Sequence, residues 1–229
     1  MTAPARFWHR YAAWSLDAAL IALVATPFVA GRVHAAAQAV DRDLLALLTG
    51  FYRQLDAALG DGAMLPAQAL LALADDSTIR HGIATVQSDL LHLAWPPLLA
   101  FALLGAVYHV VCESSRRRAS PGKRALGLQV ERLDGAALSP GRAAARHAAA
   151  ALSWLSLNIG HAMALAPPKR QALHDRVSHT RVVMDADRPL PTWARGWLAA
   201  QALAALVGTV ALAAHWAGLM QTALEQALG

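Results

Sequence analysis

Asp17 is the residue of this sequence most able to do chemistry. It lies within the apolar run 11–30, where a charge costs about 2.5–3.5 kcal/mol on the translocon-insertion scale. Arg10 precedes it by seven residues, which places both on nearly the same helical face, about 10 Å apart. Two interpretations stay open. Asp17 could hydrogen-bond or pair with an arginine of another segment, or it could be a proton or cation site created by desolvation.

A second carboxylate, Asp175, follows His174 in a basic run. In the structural interpretation, Arg170 or Arg176 binds this carboxylate at the start of a helix or in a loop. In the functional interpretation, His174 and Asp175 form a proton relay, because histidine titrates near neutrality.

Other candidate groups do not form a catalytic or metal-binding constellation. His109 and Glu113 are four residues apart on one helix face, but two ligands without further partners are a weak metal signal. Ser153 and Ser156 have no recognisable base and orienting group. The sequence therefore predicts no enzyme, no cofactor and no metal site.

Composition places these residues in a membrane protein. The chain is 56% hydrophobic and only 15% charged, with a mean hydropathy of +0.36, whereas soluble domains carry about a quarter charged residues. Its net charge of +5 is concentrated beside apolar segments and is not interleaved with aromatic residues, which argues against nucleic acid as a partner. Cys112, the single cysteine, excludes an internal disulfide.

The apolar runs predict an all-α membrane protein with three to four transmembrane or re-entrant segments. The runs 11–30, 90–112 and 197–219 are long enough to span, and a proline pair at 96–97 predicts a kink or a late start of the second helix. The run 148–166 either crosses or dips in and returns at 158–160, and the basic segment after it favours the return. The strand-like runs 128–133 and 180–184 could then form a short cytoplasmic β pairing.

Residues 31–88 predict a helical insert outside the membrane. Helical spacing of apolar residues covers 40–59, Gly60-Asp-Gly62 ends that helix, and Pro66 starts another that reaches about residue 74. The insert carries four basic and six acidic residues, against eight basic and three acidic residues in 113–147. This asymmetry predicts a cytoplasmic N-terminus and a cytoplasmic 113–147 loop in a multi-pass membrane protein, with the insert in the periplasm if the protein lies in a Gram-negative inner membrane.

Three ordered stretches resemble the RDD family of bacterial membrane proteins. They are Arg10-Tyr-Ala-Ala-Trp-Ser-Leu-Asp17, Ser120-Pro-Gly-Lys-Arg-Ala-Leu-Gly-Leu-Gln-Val130 and Lys169-Arg-Gln-Ala-Leu-His-Asp175, with Arg146 between the last two. Ser120 stands where the family usually has threonine. The resemblance matches the family's arginine and two aspartates to Arg10, Asp17 and Asp175. It matches the motif loop to Pro121, Gly122, Lys123 and Gly127.

The resemblance implies a membrane domain over residues 1–184. The linker and the additional C-terminal helix in 185–229 follow from the apolar run and exceed the minimal family domain. Ion or proton exchange has been suggested for some family members. The first hypothesis is therefore an ion or small-solute transporter with Asp17 as the coupling carboxylate and with Arg10, Arg146, His174 and Asp175 tuning it. The alternative is a non-transporting scaffold or accessory subunit. The expected partners are the lipid bilayer and either further copies of the chain or another membrane protein.

Overall fold

The computed structural model describes residues 2–60 and 65–229, in which three helices are long and apolar enough to cross a membrane. These are α1 (Phe7–Gly60), α3 (Ser77–Ser114) and α8 (Thr192–Leu228). A bent pair, α5 (Pro140–Leu155) and α6 (Ile159–Ala162) with its following 3₁₀ turn, would add a fourth crossing if it is one span. The predicted all-α membrane class is confirmed.

Two helices extend beyond their predicted bounds. The helix expected over 40–59 is the continuation of α1, because residues 31–39 contain several alanines and no proline to interrupt the helix. The α3 helix begins at Ser77 and continues through Pro96 and Pro97. Of the two predicted alternatives, the late start is therefore wrong and the kink stays a prediction. Asp76 caps this earlier start, since its Oδ1 accepts hydrogen bonds from the Thr78 and Ile79 amides at 2.8 and 2.9 Å.

The shorter elements lie close to the positions predicted from the sequence. The second insert helix is α2 (Pro66–Asp75), close to its predicted range, whereas the predicted turn at 61–62 lies outside the described residues. The predicted break near residue 158 is present. Helix α5 ends at Leu155, Asn158 has a φ of +66°, and the two helical arms meet at 115°. Whether this segment crosses or re-enters stays a prediction.

A three-stranded antiparallel sheet follows the order β1–β3–β2. Its strands are β1 (Thr2–Pro4), β2 (Gln129–Arg132) and β3 (Thr180–Asp185), with Val130 opposite Val182 and Ala3 opposite Met184. The predicted pairing of β2 with β3 is confirmed. Strand β1 was not predicted, because three residues are too few to show an alternating pattern.

The chain divides into two compact units. The first comprises Met1–Thr26 and Ala100–Gln201 and contains the sheet with the short helices α4 (Pro121–Ala125) and α7 (Leu173–Val177). Its apolar core is lined by Ala12, Ala13, Leu126, Leu128, Val130, Leu138, Val182 and Met184. The second unit comprises Pro27–Leu99 and Ala202–Gly229, and its helices contact through Asp41 and His215, 2.9 Å apart. The external position predicted for residues 31–88 stays a prediction.

Candidate functional site

Asp17 is fully buried in the first unit and accepts hydrogen bonds from three donors. The Tyr108 hydroxyl donates to Oδ1 at 2.6 Å, the Gly122 amide donates to Oδ1 at 2.7 Å, and the Ser120 hydroxyl donates to Oδ2. The carboxylate therefore binds the first turn of α4 and ties it to α1 and α3, as a side chain does when it satisfies the free amides of a helix N-terminus. This geometry supports the structural interpretation of Asp17, with hydrogen bonds in place of an arginine partner.

The motif loop is shaped by this contact. Pro121 occupies the first turn of α4, where its missing N–H costs nothing. A Cβ at Gly122 would collide with the Ala13 carbonyl oxygen and lie 2.8 Å from Asp17 Oδ1. Only glycine therefore allows α4 to approach α1 this closely. Gly127, which follows α4, has a φ of +68°, a conformation that also favours glycine.

Asp175, the second carboxylate of the site, is also fully buried and binds two arginines. Its Oδ2 lies 2.5 Å from Arg10 Nη2 of α1, and its Oδ1 lies 2.7 Å from Arg146 Nη2 of α5. The Ala172 amide also donates to Oδ2 at 2.9 Å. The predicted partners, Arg170 and Arg176, are replaced by arginines distant in sequence. Arg170 contributes only its carbonyl oxygen, which accepts a hydrogen bond from Arg10 Nη1 at 3.0 Å.

Glu113 joins these two carboxylates into one network. Arg146 Nη1 lies 2.9 Å from Glu113 Oε2, and Lys123 Nζ lies 2.8 Å from Oε1. Lys123 also lies 3.4 Å from the Ser120 hydroxyl that donates to Asp17. Carboxylates and cations from α1, α3, α4, α5 and α7 thus form a continuous buried chain of contacts. We call it the charge network, and its ionised members are Arg10, Asp17, Glu113, Lys123, Arg146 and Asp175.

Three cations balance three anions in the charge network, so no net charge is buried there. A buried ion pair is tolerated only when its partners and remaining hydrogen bonds are satisfied. Arg146 meets this demand with all three guanidinium nitrogens, because its Nε donates to Thr180 Oγ1 at 3.3 Å while its other two nitrogens bind Glu113 and Asp175. Arg146 is the central cation of the site.

Histidines lie at both ends of the charge network. His109 Nδ1 is 3.8 Å from Glu113 Oε1, and the His109 ring stacks on His147 with centroids 5.5 Å apart. At the other end, His174 Nε2 is 3.5 Å from Asp175 Oδ1, and the His174 and His161 ring centroids are 5.3 Å apart. The structure thus brings the predicted His174–Asp175 pair together and adds a second histidine to it.

Several atoms of this cluster are buried without a hydrogen-bond partner among the described residues. They include the Nδ1 atoms of His161 and His174 and the hydroxyl oxygen of Ser153. Such orphaned groups are rare in native interiors and point to water, an ion or a chemical role. Within residues 2–60 and 65–229, no group of three or more His, Cys, Asp or Glu side chains is arranged to hold a metal ion.

The environment fixes the charge states of the α7 residues. Burial opposes ionisation of Asp175, but Arg10 and Arg146 outweigh it and hold the pKa of this carboxyl far below its usual range. Burial and the same arginines hold the pKa of His174 well below its usual range, even though Asp175 favours the imidazolium. Asp175 is therefore a fixed anion and His174 a neutral base at neutral pH.

Sequence reasoning identified Arg10, Asp17, Arg146, His174, Asp175 and the motif loop, and all of them lie in or beside the charge network. It missed Tyr108 as a donor to Asp17 and Glu113 as a partner of Arg146 and Lys123. One signal was available for Glu113. A carboxylate at the end of an apolar span needs a cation, and the following loop is rich in arginine and lysine.

Comparison with known proteins agrees with the motifs. A family model described as the RDD family matches residues 4–179. The chain is 32% identical over 88 residues to a protein of Bacillus subtilis (strain 168), printed as "Uncharacterized protein YxaI", a match that covers 38% of this chain. The chain spans 58% of that relative's length. No solved structure matches.

Proposed function

Because the chain belongs to the RDD family of integral membrane proteins, we propose that it moves an ion or small solute across the bacterial inner membrane. We propose further that a proton is taken up at His174. The observation that carries this assignment is the orphaned Nδ1 of His174, which is buried while Nε2 faces Asp175. The proposal moves the coupling role from Asp17 to His174, because three hydrogen bonds to its carboxylate give Asp17 a structural role.

Proton uptake at His174 has a mechanical consequence in this geometry. A protonated imidazole would be a third cation beside Asp175, in competition with Arg10 and Arg146. Arg10 is the one of these arginines that belongs to α1, so weakening its contact would loosen α1 from α7. A proton would thus shift the balance between two arrangements of a membrane helix, which is what coupling of a proton to transport requires.

Flux measurements on the full chain in proteoliposomes test this proposal. Pyranine inside the vesicles would report proton movement driven by sodium or potassium gradients, over a pH range that extends well below 6.5, because the pKa of His174 lies well below its ordinary value. Wild type should show flux that varies with pH, and His174→Gln should remove the pH dependence. His92→Gln, a change at an exposed histidine of α3, is the matched control and should behave like wild type.

Two results would overturn the proposal. The absence of flux with every tested cation would remove transport altogether. Loss of pH dependence in Asp17→Asn but not in His174→Gln, with both variants folded, would return the coupling role to Asp17.

A second candidate is the scaffold or accessory subunit. It is favoured by α8, since none of the residues in the apolar window of this helix is buried within the described chain. Such a surface suits lipid, a further copy or another membrane protein. Mass measurement in detergent together with co-purification shows whether the chain is alone, in a homo-oligomer or in a complex with another protein. A stable hetero-complex without cation flux would favour the accessory role, whereas a homo-oligomer with flux would favour transport.

A further inference from the structure

A basic cavity lies beside the sheet and is separate from the charge network. Its volume is about 360 Å³, and it is lined by residues of all three strands and of the α3–α4 segment. Its lining includes the polar or charged residues Thr2, Arg117, Arg124, Gln129 and Asp185, together with Gly127. We call it the arginine cavity.

The arginines of this cavity differ from their neighbours on the strands. Arg132 and Arg181 are paired with carboxylates, at 2.6 Å from Asp134 and 2.7 Å from Glu131. Within the described part of the chain, Arg117 and Arg124 are exposed and lie within 4.0 Å of no carboxylate. Their positive charge is therefore left for solvent or for a ligand.

A third guanidinium lies beside one of the lining residues, Gly127. A Cβ added at Gly127 would collide with Nη1 of Arg188, so this guanidinium packs directly against the glycine backbone. Arg188 is half-buried and lies beyond the segment matched to the family, whereas Gly127 belongs to the motif loop. Two arginines thus line this concave surface, a third lies beside its Gly127, and the lining contains a single acid, Asp185.

We propose that the arginine cavity binds a phosphate group. Guanidinium groups present paired N–H donors that match phosphate oxygens, and more than one of them at a concave site favours an anionic ligand. The phosphate could belong to an anionic lipid head group or to a soluble phosphate compound. The lipid source is plausible geometrically, because Arg117 lies three residues beyond the end of α3, where head groups meet a spanning helix.

Calorimetric titration of the purified full chain in detergent tests this proposal with three probes. Inorganic phosphate represents the soluble source, dihexanoyl phosphatidylglycerol the anionic lipid, and dihexanoyl phosphatidylcholine the control for the acyl chains. Arg117→Gln and Arg124→Gln should each weaken binding about tenfold or more, since each removes charge-assisted hydrogen bonds. Arg116→Gln removes the same charge from an exposed neighbour that does not line the cavity, and it should change binding less than about twofold.

The outcomes distinguish a soluble phosphate ligand from a lipid head group, and they include the results that would refute the proposal. Cavity-dependent binding of inorganic phosphate assigns a soluble ligand, and cavity-dependent binding of phosphatidylglycerol alone assigns a lipid. Binding of neither probe would overturn the proposal. Equal weakening in Arg116→Gln and Arg117→Gln would also overturn it, because a diffuse positive potential would then explain the affinity. Elution of each variant at the wild-type volume in size-exclusion chromatography confirms that it is folded.

Discussion

Replacing Arg146 with glutamine should destabilise the first unit more than any other single loss of charge on α5. The change removes one guanidinium that contacts Glu113 at 2.9 Å and Asp175 at 2.7 Å, with 8% of its side chain exposed. Removing one partner of a buried ion pair costs about 3–5 kcal/mol, because it leaves an uncompensated charge. Here Lys123 still binds Glu113 and Arg10 still binds Asp175, so we expect about 3 kcal/mol, the lower end of that range.

Arg142→Gln is the matched control for this prediction. Arg142 lies one turn earlier on α5, is half-buried, and donates one hydrogen bond to the Ser178 carbonyl at 3.2 Å. Its loss should cost about 1 kcal/mol or less. Unfolding of the full chain in mixed micelles by titration with SDS, followed by tryptophan fluorescence, gives the free energy of unfolding for each variant.

A double-mutant cycle sharpens the test. Glu113→Gln removes one of the two carboxylates that lose a partner when Arg146 is replaced, so the double variant should cost less than the sum of the two single variants by about 1 kcal/mol or more. If Arg146→Gln costs no more than Arg142→Gln, or if the two single costs add, solvent screens the charge network and the argument from burial is wrong.

Two further predictions use the same titration. Gly122→Ala should destabilise the chain, because a methyl group there collides with the Ala13 carbonyl, whereas Gly141→Ala, which meets nothing within 4 Å, should be neutral or stabilising by up to about 1 kcal/mol. His174 should contribute a loss of stability of about 1 kcal/mol as the pH drops one unit below 6.5, since unfolded His174 takes up a proton at its ordinary pKa of 6.5 while the folded imidazole stays neutral. His174→Gln should reduce the total loss by about that amount, while other buried histidines such as His9 keep the remainder, and His92→Gln should leave the loss unchanged. Asp175 adds nothing in this window, because the stability from its lowered pKa is lost only when the pH approaches the ordinary value of 3.8.

Hydropathy predicted the spans because lipid imposes a length and a composition on every crossing. It did not predict their full lengths. The α1 helix continues to Gly60 although its second half is amphipathic, since alanine-rich sequence carries helix formation past the apolar run. The pairing of β2 with β3 was also predictable, because alternation and flanking turns mark strands locally.

The ion-pair partners in the charge network were not predictable from local sequence patterns. Asp175 is bound by Arg10 and Arg146, which lie 165 and 29 residues away along the chain. Local reasoning pointed instead to Arg170 and Arg176, its neighbours in sequence. Periodicity shows which face of a helix is apolar, but it does not show which helix packs against that face. Pairings of this kind depend on tertiary structure.

The geometry gives the family motifs a common physical meaning. Arg10 and Asp17 lie seven residues apart on α1 and bind different elements, α7 through Asp175 and α4 through Gly122. Two contacts about 10 Å apart fix both the rotation and the axial position of a helix, whereas one contact leaves it free to pivot. The motifs therefore hold α1 against the short helices, and the proton that we propose at His174 would act on only one of the two contacts. Such a device would loosen α1 at Arg10 while Asp17 keeps it attached, so the helix would tilt rather than detach.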